Sequence, residues 1–201
     1  MLNTIPTAEN VLAAFDQIDL ADVSAGIEWY AEAYGIAMAY GETYGVTAEQ
    51  AAGVIAALSP QQGWAQNVKS AARVLADVSD RVHTESNMSK ARRILAGEDI
   101  LAVLNASKTQ NFFLGIVTQG EQGVCVDRHA LDIAVGVRHT DKTRPAIGAR
   151  LYAATAQAYI DAAAELQARG CVISPAELQA VTWVAHVKRW SGVKLAEPVA
   201  L

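Results

Sequence analysis

Lys108 and Asp127 lie nineteen residues apart and are of the two types that a nucleophile and its electrostatic partner require. An amine attacks an electrophilic carbon once it is neutral, and a nearby carboxylate stabilises the cationic centre that develops there. Ser107-x-x-Gln110 reads as a capping box, which puts Lys108 in the first turn of a helix carrying Phe112, Phe113 and Ile116. Asp127 precedes the apolar-periodic run Ala130, Leu131, Ile133, Ala134, Val137 and is expected to cap that second helix. Gly115, Gly120 and Gly123 lie between, so two helix N-termini joined by a glycine-bearing loop are expected to face anionic groups such as phosphate.

The elements that must position these residues are helical. The 201-residue chain is 52% hydrophobic and 18% charged, which excludes wholesale disorder, and its alanine-rich periodicities point to an all-α fold. Residues 7–18 form a short amphipathic helix opened by Thr7. Asp22 or Ser24 is expected to cap a longer helix reaching Tyr44, with Trp29, Tyr30, Ala33, Ala37 and Tyr40 as its core stripe and Gly45 as its stop. Thr47 to Gln50 is a capping box before AAGVIAAL, and after the Ser59-Pro60 turn a further helix begins near Trp64. Beyond a polar connector, Ser89 opens a basic helix with Lys90, Arg92 and Arg93, followed by a short turn over 98–104. Pro145 to Arg169 reads as a long helix ending at Gly170, and Ser174-Pro175-Ala176-Glu177 opens the last helix. Trp64 and Trp183 read as core rather than as stacking platforms.

Charge and cysteine usage narrow the classes. The net charge is −5, which argues against binding nucleic acid by bulk electrostatics. The acids are concentrated early: residues 1–89 hold three Lys/Arg against eleven Asp/Glu, whereas residues 90–144 hold eight against six. Cys125 and Cys171 belong to no C-x-x-C pair and read as reduced thiols, and His83, His139 and His186 show no metal spacing. No metal or cofactor is expected. No apolar run reaches membrane-spanning length, and the N-terminus lacks a basic region followed by an apolar stretch, so a soluble cytoplasmic protein without a membrane partner is expected.

Three separated segments together resemble the helix-hairpin-helix DNA glycosylase superfamily, in particular its endonuclease III-like, lyase-competent branch. Leu58-Ser59-x-Gln61 with Asn67 beyond it is similar to the family's LLSxQ segment. Lys108-Thr109-x-Asn111 is similar to the end of LPGVGxKTAN, and Val126-Asp127-x-His129 to VDTH. Order, spacing and identity agree, which is more specific than any one motif. The resemblance implies an all-α, two-lobed fold with a central cleft. Residues 45–125 would form one helical lobe with a degenerate hairpin, and 1–44 with 126–201 the other, in one unit over 1–201. It further implies base excision with AP-lyase chemistry on an extruded nucleotide of DNA. Lys108 would be nucleophile and Asp127 the stabilising carboxylate, with Gln61 filling the gap left by the base. Gln62, Asn67, Asn111, Arg128 and His129 would contact substrate, and Lys90, Arg92 and Arg93 would flank the cleft and meet DNA phosphates.

Departures from the pattern point to a second resemblance. The family's Gly-x-Gly hairpin is replaced by Leu104-Asn105-Ala106-Ser107, and Ala106 and Ser107 take positive φ less cheaply than glycine. The four-cysteine cluster loop of many members is absent, and Arg128 stands where threonine is usual. Phage proteins proposed to hypermodify thymine share this glycosylase-like scaffold; the VDRHA sequence is similar to actinobacterial phage proteins of unknown function, and segment 174–190 resembles this phage-type group. That resemblance implies, as an alternative, a transferase in a phage-infected or bacterial cell that displaces an activated group on a 5-hydroxymethylpyrimidine with a small amine donor. A catalytically silent DNA- or protein-binding descendant is the third alternative.

Overall fold

The computed structural model describes residues 5–77, 81–140 and 142–191, and residues 78–80 of the expected polar connector lie outside them. The described residues form ten α-helices and no strand, so the fold is all-α. α1 (Ala8–Phe15) starts at Thr7, whose side chain accepts from the Asn10 amide. α2 (Leu20–Tyr44) is capped by Asp19, one turn earlier than the expected Asp22 or Ser24, and closes on Gly45. The earlier start leaves Leu20 87% exposed, so the first turn carries no apolar periodicity for sequence reading to find. α3 (Ala48–Leu58) has the expected capping box, with Thr47 and Gln50 bonded reciprocally, and its last eight residues are all buried.

α4 (Trp64–Leu75) begins where expected. α5 (Glu85–Leu95) is capped by Thr84 rather than opened by Ser89, because its polar first turn, ESN, hides the boundary. α6 (Ile100–Leu104) and α7 (Ser107–Val117) are joined by Asn105, which takes the left-handed conformation at φ +41°. The expected Ser107/Gln110 capping box does not form: Ser107 is already helical, Ala106 is the cap, and Gln110 donates instead to the Leu101 carbonyl at 2.8 Å. Nor does either residue need positive φ, since Ala106 is extended at −128°. α8 (Arg128–Ala134) is capped by Asp127 as expected. α9 (Ala149–Ala168) starts four residues after Pro145, behind Gly148 as its cap, and α10 (Pro175–Ser191) has the reciprocal Ser174/Glu177 bonds of its capping box.

Two buried apolar clusters meet along α2 and α10. The first gathers the inner faces of α2 to α7 with Ala176 and Ala180 of α10, and the second gathers α1, α8 and α9 with Val124, Val126 and Leu178. The buried face of α2 (Tyr30, Ala33, Ala37, Tyr40) lies in the first cluster, and α2 also packs along α10 through Gly26. Two helical glycines allow close approaches between elements. A Cβ at Gly26 would lie 2.3 Å from Val181 Cα, and one at Gly115 would lie 2.5 Å from Cε1 of the buried Tyr30. Gly115 thus belongs to α7 and to its packing, not to a loop between two helices.

Candidate functional site

Asp127 is fixed by its own helix. Its Oδ1 accepts from the backbone N–H groups of His129 and Ala130 at 2.8 and 2.9 Å, which satisfies two donors that the start of α8 would otherwise leave open. Oδ2 accepts from the Trp183 indole at 3.2 Å, so α10 completes the orientation of the carboxylate. Lys108 lies in the first turn of α7, half-buried, and its Nζ has no hydrogen-bond partner among the described residues. Tyr152 ties the two segments together. Its hydroxyl lies 3.3 Å from the Ser107 carbonyl, 2.8 Å from the Val124 carbonyl and 3.2 Å from the Val126 N–H, which donates to it.

Lys108 and Asp127 line one open pocket with a cavity volume of about 110 Å³. Its wall is aromatic: Trp29, from α2, lies 4.9 Å from Trp64 of α4, 5.9 Å from Phe112 of α7 and 6.0 Å from Trp183 of α10, centroid to centroid. Trp64 and Trp183, expected in the core, are half-buried and present part of their rings to the pocket. Polar groups converge on it as well. Gln62 donates to the Val82 carbonyl at 3.4 Å, which leaves its Oε1 buried and without a partner. Gln179 accepts from the Tyr30 hydroxyl at 3.4 Å, and Asn67 donates to Ile55 O at 3.0 Å across α3 and α4.

The lining offers three nucleophilic types, and their surroundings separate them. Burial pushes the Cys125 thiol up to about 12, against the opposing pull of Lys108 and with a further push from Asp127, so the thiol stays protonated at neutral pH. The Ser59 hydroxyl donates to the Ala56 carbonyl at 2.9 Å. The Lys108 amine remains. Tyr30, raised well above its ordinary value by burial and then by Cys125, Tyr152 and Asp127, stays protonated and donates to Gln179.

Residues 2–191 match a family described as a family of unknown function, DUF7178. The chain belongs to this family. No curated protein and no solved structure matches it.

The other residues singled out by sequence divide into groups. Gln61 is exposed in the turn after α3 at φ +62° and does not line the pocket, whereas its neighbour Gln62 does. Asn111 faces away, with its amide on the Ser107 carbonyl at 2.8 Å and its side chain in a second depression beside Gly123 and Ile160. Arg128 is exposed and donates from Nε to His129 Nε2 at 3.1 Å. The His129 ring lies 6.5 Å from Trp183 and 5.3 Å from His186. Burial lowers the pKa of both imidazoles, His186 to about 4, so both are neutral at pH 7. The basic helix α5 is engaged internally. Lys90 Nζ donates to the Leu104 carbonyl and to Asn105 Oδ1, Arg92 pairs with Glu85 at 2.8 Å, and Arg93 with Glu98 at 2.6 Å.

Sequence reading missed Trp29, Phe112, Cys125 and Gln179 as lining residues, and Tyr152 as the tie between Lys108 and Asp127. Trp29, Phe112, Gln179 and Tyr152 carry no local signal beyond their helical spacing, and Cys125 lies in the segment between α7 and α8. No group of three or more His, Cys, Asp or Glu among the described residues is arranged to hold a metal ion, and no helix among them is long and apolar enough to cross a membrane.

Proposed function

We propose that the chain is a base-directed DNA enzyme with a glycosylase-like, two-lobed architecture, in which Lys108 is the amine nucleophile and Asp127 the stabilising carboxylate. The observation that carries this reading is the convergence of the three resembling segments on one pocket. Asn67 from the first, Lys108 from the second and Asp127 from the third all line it, with Gln62 from the turn beside the first. The short helix, left-handed Asn105 and longer helix over 100–117 are consistent with a helix-hairpin-helix unit ahead of the lysine.

In this reaction the Lys108 amine attacks the deoxyribose C1′ while the C1′–N bond breaks, and the base leaves with the bonding electrons and takes up the proton that the alkylated amine gives up. The Asp127 carboxylate stabilises the positive charge that develops on the sugar. Its three hydrogen-bond donors orient it before the substrate arrives, which avoids reorganisation during the reaction. The aromatic wall supplies stacking surface for a planar heterocycle.

Borohydride reduction on DNA containing an abasic site tests the assignment. A covalent adduct is expected with the native chain and its loss with Lys108→Met; no adduct, or one that persists in the variant, overturns the lyase reading. A second reading, amine transfer to an activated 5-hydroxymethylpyrimidine, is favoured by one feature of the hairpin. The Leu104 carbonyl and the Asn105 side chain are already held by Lys90, so this turn is tied to the protein itself. That reading expects a new Asp127-dependent nucleoside by mass analysis of activated DNA supplied with an amine.

A further inference from the structure

Two carboxamides in the wall of the pocket are each half used. Asn67, on α4 and 2% exposed, donates from Nδ2 to the Ile55 carbonyl at 3.0 Å. A carbonyl only accepts, so this bond fixes which end of the amide faces it and leaves Oδ1 without a partner among the described residues. Gln179, on α10 and 5% exposed, accepts from the Tyr30 hydroxyl through Oε1, and its Nε2 has no partner among the described residues. Neither free end is sealed inside the protein as Oε1 of Gln62 is, and the space open to them is the pocket that both residues line. Buried amide groups are normally paired, so two half-paired ones at a single opening point to a ligand that completes them.

We propose that Asn67 and Gln179 are the specificity-determining pair of this pocket: Gln179 Nε2 donates to, and Asn67 Oδ1 accepts from, the edge of a pyrimidine base, and purines are refused by size. The proposal rests on the base-directed reading above and names its substrate class. The two free ends offer a donor and an acceptor without charge, which matches a neutral ring edge carrying an N–H beside a carbonyl or a ring nitrogen. Size narrows the ring. The cavity volume is about 110 Å³, and a cavity of roughly 150 Å³ holds one benzene ring. A single six-membered ring is therefore the largest flat body that the pocket takes, with its substituent left outside in the opening, and a fused two-ring base exceeds it. Trp29, Trp64, Phe112 and Trp183 supply apolar surface for the faces of that ring.

The experiment titrates the full chain with free nucleosides and reads the quenching of emission from Trp29, Trp64 and Trp183. Thymidine or 2′-deoxycytidine is expected to quench saturably, and 2′-deoxyadenosine to bind about tenfold or more weakly than the better of the two. Replacing the donor hydrogens by methyl groups, in 3-methylthymidine or N4,N4-dimethyl-2′-deoxycytidine, should weaken binding about tenfold, because the ligand then leaves the Asn67 acceptor unpaired in a buried site. Gln179→Leu should lower the affinity for the native pyrimidine about tenfold, and Asn67→Ala should erase the difference between the pyrimidine and its methylated form. The methylated nucleosides probe the native chain, so the test stands even where a variant does not fold. Binding of neither pyrimidine, a purine bound as tightly as either, or indifference to methylation overturns the proposal. Borohydride trapping is measured in parallel. Methylation-sensitive pyrimidine binding without trapping sinks only the excision reading, and trapping with base binding indifferent to the edge sinks only the pair.

Discussion

Replacing Asp127 separates its structural duty from its chemical one, because the structure assigns a distinct partner to each oxygen. In Asp127→Ala the N-cap bonds to His129 and Ala130 are lost, a change that costs about 1 kcal/mol at a typical cap. The Trp183 indole N–H also loses its acceptor at a half-buried position, which adds about 1 kcal/mol. The sum, about 2 kcal/mol, corresponds to a fall in melting temperature of about 4–8 °C for a chain of this size. Asp127→Asn is gentler. Asparagine caps as well as aspartate, so its carbonyl can serve the two backbone N–H groups, but its NH₂ then faces the indole donor and the cost is about 1 kcal/mol. Urea titration followed by tryptophan fluorescence, with Trp29, Trp64 and Trp183 reporting from the pocket wall, measures both variants. If Asp127→Ala is within about 0.5 kcal/mol of the native chain, or no worse than Asp127→Asn, the cap-and-indole geometry is wrong. If Asp127→Asn melts near the native temperature and still supports reaction, the carboxylate is scaffold only.

Gly115→Ala is expected to destabilise the fold by about 1–3 kcal/mol in spite of the roughly 1 kcal/mol that alanine gains over glycine in a helix, because its Cβ would meet the buried Tyr30 ring at 2.5 Å. A thermal melt equal to or above that of the native chain would refute the packing. Asp132→Ala removes the carboxylate partner of the buried His139 and of the half-buried Arg144 and should cost about 3–5 kcal/mol, read by urea denaturation, with a loss under about 1 kcal/mol counting against the pairing. His186 predicts an acid sensitivity. Burial and then His129 lower its pKa to about 4, with Asp132 and Asp127 opposing and Arg138 assisting, whereas an unfolded chain takes up that proton near 6.5. As pH falls the unfolded state is protonated first, so this contribution is whole above about 6.5 and is lost as pH falls toward about 4. His186→Gln should flatten the stability profile across that window in denaturation measured at several pH values, and an unchanged slope would refute the assignment.

What could be read from the sequence is what local chemistry decides. Asp127 is legible as a cap because its partners are the next two backbone N–H groups in the chain, and the boxes at Thr47/Gln50 and Ser174/Glu177 are legible for the same reason. The same logic misleads at Ser107/Gln110. Asn105 ends α6 in the left-handed region and starts α7 one residue early, and Gln110 finds Leu101 instead. Polar or exposed first turns, as in α2 and α5, hide their own starts. The pocket wall is not legible at all. Trp183 meets a carboxylate fifty-six residues away, and its spacing along α10 is that of any inward-facing ring.

Trp183 reaches Asp127 through the packing of α10 against α2. At Gly26 the two helices approach so closely that any Cβ would meet the Val181 backbone at 2.3 Å. Three residues on from Gly26 stands Trp29, and two on from Val181 stands Trp183, and the rings of these two meet at 6.0 Å. A wider crossing would therefore draw Trp183 away from Trp29 and loosen its indole bond to Asp127, so the site depends on a glycine that never touches it. Gly26→Ala tests this coupling. Its expected signature beyond lost stability is a tryptophan emission shift in the still-folded fraction, together with a weakened dependence of stability on Asp127. In a double-mutant cycle the costs of Gly26→Ala and Asp127→Ala should fall short of additivity by more than about 0.5 kcal/mol, and strict additivity would show that the crossing and the carboxylate are independent.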